Sequence, residues 1–381
     1  MYISDLVSYK RIIDENIEYN TVNMIDSNGN NLLHYVCSHY NNDIDSISKL
    51  IENNIDINKQ NKYGLTPLHC LLKNSNINLL NQKIKSDKSK IVKLLLEHGA
   101  NPSLRTKHKF NSLHLACIYS GNKDIIKLLL DAGSNPNELC NFNNSPLLLL
   151  CRYHGYNKES VKLLVENGAD INHNNSCSIS CLYTLYNDNL SIKDDYVDYI
   201  KVFKYLLDNG ASPNHVIDID DYSGTILHYM LEDLILLDLD PSDHSKYSDN
   251  NKRYNVFCNL IELTMKYNAD PNIKNSDNNT LLDILYDGSL SFCSGSGSDW
   301  SNNIEDYDHL IDIIEHFGGN HSSGGNSTIN KIFSYFNLFD CLSPTSKDID
   351  NTRLSSISIN DSDDSDGDDK SVRYEPLNMI S

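Results

Sequence analysis

One residue pair recurs along this 381-residue chain and constrains what it can become more than any other feature. The pair is Leu33-His34, Leu68-His69, Leu113-His114, Leu147-Leu148, Leu182-Tyr183, Leu227-His228 and Leu282-Asp283. Successive copies lie 35, 45, 34, 35, 45 and 55 residues apart. Three of the intervals are 34 or 35 residues, and the longer ones read as one period plus an insertion. A fixed period of this length marks a stack of small units. No single unit can bury its apolar face alone, so the stack folds together.

The clearest copy runs from Asn111 to Asn137, NSLHLACIYSGNKDIIKLLLDAGSNPN. A short helix is expected from Ser112 to just before Gly121. A second is expected from Lys123 to Ala132, with Ile125, Ile126, Leu128, Leu129 and Leu130 as its apolar face. Gly133 follows, where a left-handed residue ends a helix at no Cβ cost. Thr66-Pro67-Leu68-His69 shows how the first helix begins. The Thr66 hydroxyl can accept a bond from an orphan backbone N–H. Pro67 takes the first helical position, where a missing N–H does no harm. Ser145-Pro146 repeats that start. A second signature precedes most anchors: Gly99-Ala100-Asn101, Gly133-Ser134-Asn135, Gly168-Ala169-Asp170, Gly210-Ala211-Ser212 and Asn268-Ala269-Asp270.

Together these residues resemble the ankyrin repeat, with its T-P-L-H start, V-x-x-L-L core and G-A-x-x-N end. The resemblance spans about residues 20 to 320. It implies an all-α ankyrin-repeat solenoid of about seven helix-turn-helix repeats. To these the sequence adds an N-terminal half repeat and a disordered acidic C-terminal tail. Residues 1–23 carry Leu6, Val7, Tyr9, Ile12 and Ile13 at helical period and read as the capping half repeat. The repeat domain is expected over 24–320, with insertions near 74–89, 235–254 and 287–303 between the two helices of their repeats. The second insertion reads as an acidic loop, with Asp238, Asp240, Asp243 and Asp249. Residues 321–342 read as a linker and a short amphipathic segment. Residues 343–381, with Asp361, Asp363, Asp364, Asp366, Asp368 and Asp369, cannot bury enough apolar surface to order themselves.

The formal net charge of -20 works against long-range attraction to nucleic acid or an anionic membrane. No stretch approaches the roughly 20 apolar residues of a membrane span, and the N-terminus does not read as a signal peptide. The ten cysteines include no Cys-x-x-Cys pair, which suits reduced thiols inside a cell. An intracellular, cytoplasmic protein is expected, with the nucleus left open.

His34, His69, His114 and His228 tempt a metal or acid/base reading. The resemblance implies a structural one, with each ring bonded to backbone and to the cap of its own motif. A zinc site needs about four converging ligands, and no such set is legible. No phosphate loop, nucleophile elbow or metalloprotease motif is present. The expectation is no enzyme, no metal and no cofactor.

Binding is then the expected task, through loop tips and the exposed side of the first helices. The tip between Ser103 and Asn111 is basic inside an acidic protein, with Arg105, Lys107, His108 and Phe110. The next tip carries Phe142, and the first helices offer Tyr119, Arg152 and Tyr153. Arg and Tyr are enriched at interface hot spots. These eight residues are the candidate contact surface for an unidentified protein partner, with the chain itself a monomer. Composition and degenerate repeats are similar to those of ankyrin proteins of large AT-rich DNA viruses, which would make the partner a host protein. The alternative is a substrate adaptor of a ubiquitin ligase acting through residues 328–342.

Overall fold

The computed structural model describes residues 22–39, 44–74, 82–189, 196–219, 222–239, 247–286 and 301–320. Seven helix pairs follow one another along them. The pairs are α1 (Leu32–His39) and α2 (Ile44–Glu52), α3 (Pro67–Lys73) and α4 (Gln82–Glu97), and α5 (Ser112–Tyr119) and α6 (Lys123–Asp131). Next come α7 (Pro146–His154) and α8 (Lys158–Glu166), then α9 (Cys181–Asn189) and α10 (Tyr196–Asp208). The last two are α11 (Ile226–Leu239) and α12 (Tyr247–Lys266), and α13 (281–286) and α14 (Ser301–His316). First helices stack on first helices from α1 to α9, and second helices on second helices from α4 to α14.

Each unit is apolar where it meets its neighbours. Leu113, Ala116 and Cys117 of α5 and Leu147, Leu150 and Cys151 of α7 are completely buried. Ile126 and Leu129 of α6 and Val161 and Leu164 of α8 do the same in the second layer. The helix starts follow the capping chemistry expected from the sequence. The Thr66 hydroxyl accepts from the His69 N–H, and the Thr66 N–H donates to the His69 ring at 3.1 Å. Asn111 and His114 repeat the exchange, and Ser145 accepts from the Leu148 N–H. At the last anchor Asp283 replaces histidine. Its carboxylate accepts from the Thr280 N–H at 2.8 Å and the Thr280 hydroxyl at 2.9 Å, which keeps the box in another chemistry.

Two ladders tie the units together at their loops. In the first, an asparagine side chain bridges to the next repeat. Asn58 Nδ2 donates to the Gly99 carbonyl while its Oδ1 accepts from the Asn101 N–H, both at 2.8 Å. Asn137, Asn172, Asn214 and Asn272 make the same pair of hydrogen bonds to the following unit. Ser103 holds the equivalent place in the third unit and lacks the side-chain amide that makes this bridge. The second ladder is backbone to backbone at the tips. The N–H groups of Lys62, Lys107, Asn141, Ser176 and Ser276 donate to the carbonyls of Asn28, Tyr63, His108, Phe142 and Ser223.

Three features differ from the sequence reading. The chain is not wholly helical, because β1 (Val216–Ile219) pairs antiparallel with β2 (Tyr222–Thr225) in register Val216 to Thr225. The 74–89 insertion is helical from Gln82 onward and lengthens the second helix of its unit. The 235–254 stretch is not a loop throughout: α11 runs on to Leu239 and α12 starts at Tyr247. Extra residues added to an existing helix need no new nucleus, so they extend it readily. Most of the half repeat over 1–23, most of the 287–303 insertion, and the segments 321–342, 328–342 and 343–381 lie outside the described residues.

Candidate partner-binding surface

The eight candidate residues fall into two groups. Arg105, Lys107, His108 and Phe142 are exposed at the tips of the third and fourth units. Phe110 belongs to the same tip but is half-buried. Its N–H donates to the Thr106 hydroxyl at 3.2 Å, and its ring stands edge-on to His114 at 6.0 Å. Phe110 therefore acts mainly as packing for the helix start behind it. Tyr119, Arg152 and Tyr153 are half-buried at the far ends of α5 and α7. A helix rises about 1.5 Å per residue, so α5 alone puts about 10 Å between the groups. Sequence spacing suggested one cluster where the structure has two.

The tip group is ordered by its backbone. The Lys107 N–H bonds to the Tyr63 carbonyl at 3.0 Å, and the Asn141 N–H bonds to the His108 carbonyl at 3.2 Å. The Ser176 N–H continues the line to the Phe142 carbonyl at 3.0 Å. Arg105 is not a free cation, because its guanidinium pairs with the Glu138 carboxylate of the next unit. Phe142 sits at φ 62° and is 45% exposed. A bulky side chain in that left-handed region is uncommon, since Cβ crowds the carbonyl oxygen. Here the backbone bonds on either side hold it there, presenting the ring to solvent.

Lys62 and Tyr63 belong to this surface, although the sequence reading passed over them. Lys62 is exposed and lies over the Tyr63 ring at 5.0 Å. A usable signal existed: Lys62 and Lys107 both stand seven positions before their anchor histidines, His69 and His114.

In the second group the Arg152 guanidinium lies 5.8 Å from the Tyr153 ring centre. Burial, with a smaller push from Tyr153, raises the Tyr119 hydroxyl to about 12, so it stays a neutral hydrogen-bond donor at ordinary pH. Beside this group is a cavity of about 380 Å³ lined by Lys88, Gly121, Asn122, His154, Tyr156 and Asn157. The His154 ring bonds to the Ile118 carbonyl at 3.1 Å. It leaves no room for a Cβ at position 121, which would lie 2.5 Å from the ring, and Gly121 also has φ 56°. Buried Lys88 donates to the Leu72 and Asn74 carbonyls at 3.1 and 3.2 Å and so closes the C-terminus of α3. Burial pulls its ammonium down to about 8.

The anchor histidines serve the fold. His114 Nε2 reaches the Glu138 carbonyl at 3.0 Å, and His34 Nε2 reaches the Leu65 carbonyl at 3.0 Å. Burial lowers His69 and His228 to about 4 and His114 to about 3, so all three are neutral at pH 7. On α11 a different group is found. Glu232 is bonded by the Tyr222 hydroxyl and Asp233 by the Tyr186 hydroxyl. Burial raises Glu232 to about 8 and Asp233 to about 6. Among the described residues no group of three or more His, Cys, Asp or Glu could hold a metal ion. Nor is any described helix long and apolar enough to cross a membrane.

Stacked helix pairs with tips joined edge to edge define a repeat solenoid, a class that works by presenting an extended surface. Over residues 39–175 the repeats match models of the ankyrin repeat. The family model for ankyrin repeats in three copies matches residues 80–175, and that for many copies matches 39–81. The chain is 27% identical over 154 residues to the ankyrin repeat protein FPV222 of fowlpox virus (strain NVSL), covering 40% of this chain and 18% of that protein. It is 26% identical over 307 residues to the ankyrin repeat protein L371 of Acanthamoeba polyphaga mimivirus, covering 75% of this chain and 31% of that protein. The chain thus spans less than a third of either relative. Both relatives come from large DNA viruses. Among solved structures it is similar to the ankyrin repeat domain of Bcl-3, a member of the IkappaB protein family. That match has a TM-score of 0.48 and 20% identity, and covers 68% of this chain and 95% of that one. Ankyrin repeats generally mediate protein–protein interaction and are typically non-enzymatic scaffolds.

Proposed function

We propose that this chain is an interaction scaffold that binds one partner protein, as a monomer, through the tips of its second to fourth repeats. The observation that carries the reading is Phe142. A large aromatic is held in a costly backbone conformation and left exposed, where Gly or Asn would hold the same turn without that cost. Exposed cations stand on the adjoining tip, and exposed aromatic and cationic anchors are what interface hot spots are built from. Tyr119, Arg152 and Tyr153 form a second patch that a large partner would also reach. The setting is intracellular and cytoplasmic, and the similarity to virus-encoded proteins points to a host protein as partner.

Affinity capture from cell lysate tests this with two variants that melt like the parent. One carries Lys107→Ala, His108→Ala and Phe142→Ala, and the other Tyr119→Phe, Arg152→Ala and Tyr153→Ala. A protein captured by the parent and lost in the first variant supports the tip surface. A capture list unchanged by the first variant contradicts it, and loss only in the second moves the interface to the inner helices.

A further inference from the structure

The tips of the second and third repeats form a band of positive charge on a chain whose formal net charge is -20. Lys62, Lys107, His108 and Lys109 are all exposed there. The Lys107 N–H bond to the Tyr63 carbonyl places them side by side, and the Asn141 N–H bond to the His108 carbonyl sets Phe142 next to them. Nearby carboxylates do not cancel the charge. Glu138 is taken by Arg105, and among the described residues no carboxylate pairs with Lys62, Lys107 or Lys109. Three other described tips carry a carboxylate, and none of the others groups several lysines. Asp26 stands at the first, Asp218 on the hairpin of the sixth and Asp277 at the seventh, where the one cation, Lys274, donates to Asn278 at 3.3 Å.

We infer that the band formed by Lys62, Lys107 and Lys109 with Phe142 receives an acidic segment of a partner protein that carries an apolar or aromatic residue. The inference rests on the protein-binding reading above and names the chemistry of its partner. Charge supplies the first half of the argument. A local positive field on a strongly negative body attracts a short acidic stretch, while the rest of the molecule repels a long polyanion. That same repulsion favours a protein segment over nucleic acid, whose phosphates carry charge far beyond the width of two tips. Geometry supplies the second half. The Tyr63 ring lies under Lys62 on the second tip and Phe142 is exposed on the fourth, so a segment lying along the tips meets the cations and then an exposed ring at one end. Lys62 is already held over Tyr63, which leaves less side-chain freedom to lose on binding.

The test is fluorescence anisotropy on the full chain with a short labelled peptide of Asp and Glu carrying one Phe near an end. A Lys counterpart of the peptide and a labelled single-stranded oligonucleotide serve as competing probes. The expected result is binding of the acidic peptide that weakens as salt is raised. It should weaken roughly tenfold or more in Lys107→Glu with Lys109→Glu, and several-fold in Phe142→Gly. Lys62→Glu checks the second tip independently and should also weaken binding. The lysine side chains are exposed, so the charge-reversed variants should keep the parent's melting temperature, and Phe142→Gly should melt no lower than the parent. Failure of the acidic peptide to bind, equal binding of the Lys peptide, undiminished affinity in the charge-reversed variant, or tighter binding of the oligonucleotide would each overturn the inference. If a cellular protein is still lost with the tip variant while the acidic peptide fails, the acidic chemistry falls and the scaffold reading stands.

Discussion

The first helices of the third and sixth repeats begin alike and then part company. Each starts with a capping residue and a buried histidine, Asn111 with His114 on α5 and Thr225 with His228 on α11. Beyond that box α5 offers Leu115 and Ile118, both buried and apolar. At the same positions α11 offers Tyr229 and Glu232, followed by Asp233. The hydrogen-bonded start and the buried seam keep the repeat standing, while the positions four and five residues past the anchor are free to change chemistry. The two helices consequently answer pH in different ways. A histidine held below its ordinary value loses its stabilising neutral form as pH falls from about 6.5 toward 3 or 4. A carboxylic acid held above its ordinary value has its neutral form favoured by the fold. Its contribution is full below about 4.5 and is lost as pH rises toward 8 for Glu232.

The largest effect is expected from His114→Ala, which removes the box and leaves the Asn111 N–H without its ring partner and the Glu138 carbonyl without its donor. Urea denaturation at pH 7 should show a loss of about 2–4 kcal/mol. A loss below about 1 kcal/mol would mean that the box is dispensable and the shared frame is apolar packing alone. Next in size is Glu232→Gln. It should stabilise the chain at pH 8 by about 1–3 kcal/mol, a range that allows for the water reaching this partly exposed position, and have little effect at pH 4.5. A uniform shift across that range would show that burial of the acid is not the cause. In the parent, moving from pH 7 to pH 5 should lower amide-exchange protection in α5 more than in α11. There the cost at His228 is offset by relief at Glu232 and Asp233. Equal loss in both helices would erase the distinction.

Much of this was legible in the sequence, and the reason is physical. Thr66-Pro67 and Gly133 are statements about backbone geometry, so helix starts and stops could be read to within a residue or two. The anchor histidines were read as structural, and their rings do serve the caps. Anchor spacing counts residues but says nothing of their conformation. It could not distinguish a loop from the lengthened helices over 82–97 and 247–266, nor foresee the hairpin of Val216 to Thr225. Among the candidate contacts, exposure at Lys107, His108 and Phe142 followed from the tip register. The pairing of Arg105 with Glu138, and the approach of Tyr186 and Tyr222 to the two acids of α11, depend on side chains converging from different units. One sequence does not encode those distances.

Two smaller predictions sharpen the contrast between residues kept for the frame and residues kept for the surface. Phe142→Gly should relieve the left-handed strain and stabilise the chain by about 1 kcal/mol in thermal unfolding while weakening capture of the partner. A destabilised variant would show that the ring packs rather than presents itself. Ser103→Asn should restore the missing rung of the asparagine ladder between the third and fourth units, for a gain of about 0.5–1 kcal/mol. No gain would indicate that the rungs record the geometry of the stack without supporting it.

The central claim is that the tips of the second to fourth repeats meet the partner. Its most direct test places a photo-crosslinking amino acid at His108 in one chain and at Ser276, the corresponding tip of the seventh repeat, in another. The account predicts that irradiation in lysate joins a discrete cellular protein to the chain labelled at 108 and leaves the chain labelled at 276 without it. Equal crosslinking at both tips, or a product only at 276, would contradict it.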